Sequence, residues 1–357
     1  MAKGTLDHKC LSCKAVLKFN PKGQNWKCEY CKSEFTKEEI SEYEEKRGNV
    51  LNSETETVSL EQDEHGMDIY SCPNCGAEII ADESTTATFC VYCKNTAILK
   101  NKLVGAFNPD KVIPFFKTKE DAVLAFKNIC KGKPFTPNEF TNPKNIDEMR
   151  GIYIPFWIYD FTVTGSINGQ AKRVRSYIVG GTKHVETRTY KFMREGNMGY
   201  KMIPVDGSKN FDTPTMNSIE PYDYSALVDF THSYLSGFLA EKYTIDSEEA
   251  IKDAISRAEN TTTDVLKKKV TGYTTVNVTK TNHKTNTIKQ EYVLFPVWLL
   301  NIKFENKLYM FAMNGQTGKL IGDIPIDKKK VIKRWLIVFA ITFVIVILIS
   351  IFIGGSV

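Results

Sequence analysis

This 357-residue chain has little of what catalysis needs. It has five histidines, His8, His65, His184, His232 and His283, and no two of them stand at metal-ligand spacing. No Gly-x-Ser-x-Gly and no His-Glu-x-x-His occurs, so nucleophile-elbow and zinc-protease chemistry are excluded. Gly315-Gln316-Thr317-Gly318-Lys319 has Met313 where a phosphate loop needs its first glycine, and it reads as a hairpin turn. The unpaired thiol Cys130 reads as a small buried side chain rather than a reactive one, and His232 as a satisfied core residue. The expectation is a chain that is not an enzyme, with no catalytic or cofactor-binding residue to nominate.

An apolar leader is missing too. Met1-Ala2-Lys3-Gly4-Thr5-Leu6-Asp7 runs into no hydrophobic core of signal-peptide length, so a reducing compartment is expected. Net positive charge is missing from the body. The formal charge is +5, and Lys328, Lys329, Lys330, Lys333 and Arg334 account for all of it. A neutral remainder lacks the basic surface that charge-driven nucleic-acid binding requires.

What the chain does have is cysteine in a repeated pattern. Cys10, Cys13, Cys28 and Cys31 follow the spacing Cys-x2-Cys-x14-Cys-x2-Cys, and Cys72, Cys75, Cys90 and Cys93 repeat it. Flanking residues repeat as well: Ala15 and Ala77 after the first pairs, and Cys-x-Tyr-Cys-Lys at 28–32 and 90–94. Two Cys-x-x-Cys turns can set four thiolates at the corners of a tetrahedron about 2.3 Å from Zn²⁺. A disulfide framework is the alternative, and the missing export signal weighs against it. Two zinc ribbons in tandem are expected, at 7–35 and 70–100, with two structural Zn²⁺ ions and no open coordination position. A ribbon this small has almost no apolar core, so the metal supplies most of its stability, on the order of 10–16 kcal/mol per site. The first ribbon is locally basic, with Lys9, Lys14, Lys18, Lys22, Lys27 and Lys32 against Glu29. Nucleic-acid contact there is the alternative functional reading.

The second signal is at the C-terminus. Residues 335–353 carry Thr342 and Ser350 as their only polar side chains, and as a helix they would measure about 28 Å, near the hydrocarbon thickness of a bilayer. The basic cluster precedes this run and only Gly354-Gly355-Ser356-Val357 follows it. By the positive-inside rule the bulk of the chain would be cytoplasmic, making a single-pass, tail-anchored protein of the cell membrane.

Between the ends, Thr36 and Glu39 form a capping box that opens a helix, and the acidic stretch within 36–69 reads as helix then mobile linker. Residues 101–330 should form one α+β domain of mixed antiparallel sheet and helix. Helices are expected from 118 to 132, from 224 to 242, and from about 246 onward. Strands are expected at 152–167, 171–179, 187–194, 198–203, 273–281, 288–293, 297–304 and 308–313, the last two joined by Glu305-Asn306-Lys307. The stretch 154–161 matches 295–302 position for position, and helices that begin alike precede both. That echo suggests a duplicated helix-plus-sheet unit, with Trp157 and Trp298 at equivalent packing positions or at a ligand pocket.

Four stretches carry a family look: Cys-Pro-Asn-Cys-Gly at 72–76, Val-Ile-Pro-Phe at 112–115, Gly-Ile-Tyr-Ile-Pro-Phe-Trp at 151–157 and Ala-Met-Asn-Gly-Gln-Thr-Gly-Lys at 312–319. Over nearly its whole length the chain resembles the bacterial membrane-anchored TFIIB-type zinc-ribbon proteins of the YdjG type. The resemblance implies a membrane adaptor that works with a second membrane protein and a flotillin-like SPFH-domain protein, and through them recruits a PspA-type protein to stressed membrane. The first ribbon departs from the Cys-Pro-x-Cys-Gly pattern, with Leu11, Ser12 and Lys14.

Overall fold

The computed structural model describes residues 5–6, 9–42, 68–71, 78–81, 85–89, 96–99, 108–211 and 213–354. The fold is α+β. Its principal elements in chain order are β1 (Leu17–Asn20), β2 (Asn25–Cys28), β3 (Glu34–Phe35), α1 (Lys119–Cys130), β4 (Arg150–Val179), β5 (Thr182–Asp206), α2 (Ser247–Lys268), β6 (Thr275–Phe304), β7 (Lys307–Asn314) and α3 (Lys328–Gly354). They fall into two compact units. The first comprises Met1–Pro114, Tyr153–Thr213 and Asp223–Phe295; the second comprises Phe115–Ile152, Pro214–Tyr222 and Pro296–Val357.

In the first unit, β4 and β5 form one antiparallel hairpin, paired from Phe156↔Asp206 to Val179↔Thr182. Gly180 and Gly181, at φ 58° and 83°, supply the two left-handed residues that a tight two-residue turn demands. Helix α2 is capped by Asp246, whose carboxylate accepts from the Glu249 N–H at 2.8 Å. Glu248 and Glu249 lie in its first turn and Lys267 and Lys268 in its last, in keeping with the helix dipole. Its buried stripe is Ala250, Ala254, Ala258, Thr262 and Leu266, small residues at i, i+4 spacing that let the helix lie close on the sheet. The Tyr200 and Thr262 hydroxyls meet at 2.7 Å there. Of the sequence-expected face, Ala254, Ala258 and Leu266 are buried, whereas Ile251, Ile255 and Val265 are half-buried.

The second unit packs α1 against β7 and the C-terminal end of β6. A complete capping box starts α1, with Thr118 and Asp121 each accepting from the other's backbone. Phe126 meets Phe311 edge-on at 4.9 Å, and Phe140 sits among Phe304, Tyr309 and Phe311. Cys130 is buried here, and desolvation pushes its thiol up from the ordinary range, so it is inert as expected. The 305–306 turn and the 314–319 turn both occur where the sequence places them. Asn314 Oδ1 accepts from the Gln316 and Thr317 N–H groups, so 315–319 is a turn between β7 and the short strand Leu320–Ile321.

One set of hydrogen bonds occurs in both units. In the first, the Gly207 N–H donates to the Pro155 carbonyl, the Gly207 carbonyl accepts from Thr244 and Ile245, and Trp157 Nε1 donates to the Ile245 carbonyl at 2.9 Å. In the second, the Gly315 N–H donates to Pro296, the Gly315 carbonyl accepts from Phe116 and Lys117, and Trp298 Nε1 donates to the Lys117 carbonyl at 2.9 Å. Each tryptophan therefore holds the residue just before a helix cap, Asp246 or Thr118. The helix it holds is not the one that precedes its own strand in the chain.

Two expectations need correction. The stretch 224–242 is not a helix. It forms the short 3-10 turns Tyr224–Ala226 and His232–Leu235 and the short strands Val228–Asp229 and Leu239–Glu241. Its backbone groups are taken by neighbouring strands (Val228 pairs with Val112, Ala240 with Ala87), and Gly237 adopts φ 97°. Tertiary pairing overrides the apolar periodicity. The two strands expected within 152–179, the two within 187–203 and the three within 273–304 are instead single strands of 30, 25 and 30 residues. The glycines inside β4 are not turns; a side chain at Gly169 would collide with the Asn277 carbonyl, so glycine there admits the neighbouring strand.

Candidate metal centre

The first ribbon is built from two matching knuckles. In one, the Cys10 N–H donates to the Ala15 carbonyl and the Lys14 N–H to the Cys10 carbonyl; in the other, Cys28 donates to Ser33 and Lys32 to Cys28. Lys14 and Lys32 both take φ 64°, a left-handed conformation that costs a lysine about 1–2 kcal/mol. These turns aim four sulfurs at one point. Cys10 Sγ lies 3.5 Å from Cys31 Sγ, and Cys13 Sγ lies 3.6 Å from Cys28 Sγ. All four sulfurs fall within 4.8 Å of one another. A tetrahedron of Zn–S bonds of about 2.3 Å has edges of about 3.8 Å, so the sulfurs stand nearly where zinc requires them. None of the four is in a disulfide.

The electrostatics agree with a cation site. The Ser33 hydroxyl, 3.2 Å from Cys31 Sγ, and the Ser33 N–H hold the Cys31 thiol down at about 6. At Cys13 the Ala15 N–H favours the thiolate, yet desolvation and the three neighbouring sulfurs outweigh it and push the thiol to about 12. Four sulfurs this close cannot all ionise without a positive charge among them. The cluster could hold one zinc ion in a closed, four-ligand structural site.

This ribbon is packed onto its unit. Trp26 is 1% exposed, its Nε1 donates to the Ser233 carbonyl at 2.9 Å, and its ring meets Phe19 and Tyr234 at 5.1 and 5.2 Å. The Phe19 N–H donates to the Ser236 carbonyl at 3.0 Å. The capping box at Thr36 and Glu39 forms as expected, opening a helix at residue 37. The docking residues Ser233, Tyr234 and Ser236 were not legible as such, because they sat in the stretch read as a helix.

Cys72, Cys75, Cys90 and Cys93 lie outside the described residues, as does the expected linker at 49–66. Strands around the second set are described. Ser71 pairs with Glu78 and Phe89 with Thr96, and at the first set Lys9 pairs with Val16 and Lys27 with Glu34. The strand Thr85–Phe89 pairs with Leu239–Glu241. The two cysteine-bearing segments are thus joined to consecutive residues, 233–236 and 239–241. The basic surface of the first ribbon is partly neutralised: Lys18 pairs with Glu29 at 2.9 Å and Lys27 with Glu34 at 2.8 Å.

Helix α3 is long and apolar enough to cross a membrane, and its side chains from Trp335 to Leu348 are exposed. Asp327 caps it by accepting from the Lys329 N–H at 2.9 Å. Its root is fixed within the second unit, where Lys330 Nζ donates to the Thr136 carbonyl and Asn138 Oδ1 and the Arg334 guanidinium lies over Phe135. Of the histidines with described side chains, His283 bonds Thr263, His184 stacks on Tyr177 and His232 lies against Phe230.

A four-cysteine cluster that fits a zinc ribbon, an α+β body and one C-terminal helix compatible with a single-pass membrane anchor define the class to which the chain is compared. The chain is 33% identical to the YdjG protein of Bacillus subtilis (strain 168) over an alignment 336 positions long, which covers 80% of this chain and 98% of the relative. It belongs to the YdjG family. No protein-family model and no solved structure matches the chain.

Proposed function

We propose that this chain is a non-enzymatic, tail-anchored adaptor of the cell membrane. Residues 335–353 anchor it in the bilayer with the bulk in the cytoplasm, two structural zinc ions brace its ribbons, and the ribbons dock protein partners. The partners implied by the family are a second membrane protein and an SPFH-domain protein, with a PspA-type protein recruited through them in response to membrane stress. The observation that supports the reading is the joining of the first ribbon, through the buried Trp26 bond, and of the strand Thr85–Phe89, through pairing, to residues 233–241, consistent with a fixed rather than a tethered surface. A fixed surface loses less entropy on binding a partner than a tethered one does. We further read the two units as copies of one helix-plus-sheet element, supported by the hydrogen bonds that recur at Pro155, Trp157 and Gly207 and at Pro296, Trp298 and Gly315.

Mild-detergent purification of the native protein should bring down an SPFH-type protein, and Cys72→Ser or Cys90→Ser should release it while the anchor stays in the membrane. Recovery of the chain alone at native levels would overturn the adaptor reading. Nucleic-acid binding by the first ribbon is the competing outcome, and a salt-dependent gel shift abolished by charge reversal at Lys14, Lys18 and Lys22 would establish it.

A further inference from the structure

The hairpin β4–β5 ends in a projection that no packing explains. Thr274 donates to the Lys172 carbonyl at 2.7 Å and its hydroxyl accepts from the Val174 N–H. Beyond that point the strand that follows runs out, because β6 begins only at Thr275, and the hairpin continues as a two-stranded ribbon to the Gly180–Gly181 turn. Every residue from Lys172 to Val185 is exposed. Aliphatic side chains crowd the tip: Ile178 is 73% exposed, Val179 59% and Val185 60%, with Tyr177 at 51% stacked on His184. Behind them, residues 172–191 carry six cations (Lys172, Arg173, Arg175, Lys183, Arg188 and Lys191) against one carboxylate, Glu186. Arg188 pairs with Glu186 at 2.6 Å, and Arg173 lies over Tyr190 and Tyr273. Lys172, Arg175, Lys183 and Lys191 make no ion pair among the described residues.

We propose that this hairpin tip docks on an anionic lipid bilayer, with Ile178, Val179 and Val185 entering the headgroup–acyl boundary and Arg175 and Lys183 meeting lipid phosphates. The spacing suits the task. At about 3.3 Å per residue, Arg175 lies roughly 10–13 Å behind Ile178 and Val179, with Val185, opposite Ser176, between those levels and Lys183 directly opposite Ile178, so the set spans the headgroup layer. The cytoplasmic leaflet is negatively charged and attracts such clusters. Nucleic acid fits less well. Single-strand binders present exposed aromatic platforms, whereas here the tip is aliphatic and its one aromatic ring is stacked on His184. The inference rests on the membrane reading for its setting, and the two can fail separately.

The test uses the full chain in proteoliposomes, where the anchoring membrane and neighbouring vesicles are both within reach. A photo-crosslinking phenylalanine analogue replaces Ile178, or in a control Ile288, an equally exposed residue far along β6 (67%). Added RNA is present throughout. Vesicle incorporation reports on residues 335–353 independently. Lipid adducts at 178 should exceed those at 288 at least fivefold in vesicles containing phosphatidylglycerol. They should fall roughly tenfold in pure phosphatidylcholine or with Arg175→Glu plus Lys183→Glu. Equal adducts at 178 and 288, yields indifferent to lipid charge, or RNA or protein adducts at 178 in place of lipid would overturn the proposal.

Discussion

Replacing Trp26 by alanine separates the metal's contribution to the first ribbon from that of its docking. The indole is 1% exposed and holds the Ser233 carbonyl at 2.9 Å between Phe19 and Tyr234. Truncating a buried aromatic costs about 3–5 kcal/mol, and part of that is the carbonyl left without its donor. What would still hold the ribbon there are the Phe19–Ser236 backbone bond, worth about 1 kcal/mol, and the edge-on contact of Phe19 with Tyr234 at 5.3 Å, worth about 0.5–1.5 kcal/mol. The metal contributes more, on the order of 10–16 kcal/mol, and the hydrogen bonds of its four ligands all go to residues within the ribbon. Trp26→Ala should therefore keep its zinc while the ribbon undocks. Metal content should match the parent, and exchange of the Phe19 amide in the full chain should speed up about a thousandfold, the equivalent of about 4 kcal/mol. Loss of zinc from the variant would refute the reasoning. So would unchanged Phe19 exchange with zinc retained, because the docking bonds would then carry no energy.

Other outcomes follow from the same geometry. Lys14→Gly and Lys32→Gly each relieve a left-handed lysine at φ 64°, so each should raise zinc affinity about fivefold in chelator competition, worth about 1 kcal/mol. Burial raises the Asp206 carboxyl to about 7, opposed by the Ser208 N–H and helped by Glu241, and its Oδ2 has no hydrogen-bond partner. Because the folded state holds this proton to higher pH than the unfolded chain does, the group's contribution is complete below about pH 4 and is lost as pH rises through 7. Asp206→Asn should accordingly gain over the parent in urea unfolding from pH 5.5 to pH 8.5, by about 2 kcal/mol, and a constant difference would count against it. Trp157→Phe and Trp298→Phe each remove one bond to a carbonyl ahead of a helix cap. Each should cost about 1–3 kcal/mol by a similar amount, and sharply unequal costs would argue against equivalent units.

The features legible in the sequence were local ones. The capping box at Thr36, the helix starts at 118 and about 246, the turns at 305–306 and 314–319 and the apolar C-terminal helix each depend on residues within a few positions of one another, and each occurs. Long strands were misread as shorter ones because Gly169, Gly196 and Pro296 resemble breaks. In the fold, the two glycines admit neighbouring atoms and the Pro296 carbonyl accepts from Gly315 and Tyr222. The cationic hairpin was hidden inside the neutral net charge of the body, which remains when the five basic residues within 328–334 are set aside.

Sequence by itself determined the four-thiol cluster of the first ribbon and the membrane candidate, because ligand type, spacing and nineteen consecutive mostly apolar residues set those without help from distant contacts. Tertiary structure alone decided that residues 224–242 are no helix, that Trp26 seats the ribbon on them, and that each tryptophan clamps the helix of the other strand pair. The physical reason is that a backbone donor or acceptor goes to whichever partner folding brings near, and those partners lie 88 to 207 positions away in the chain.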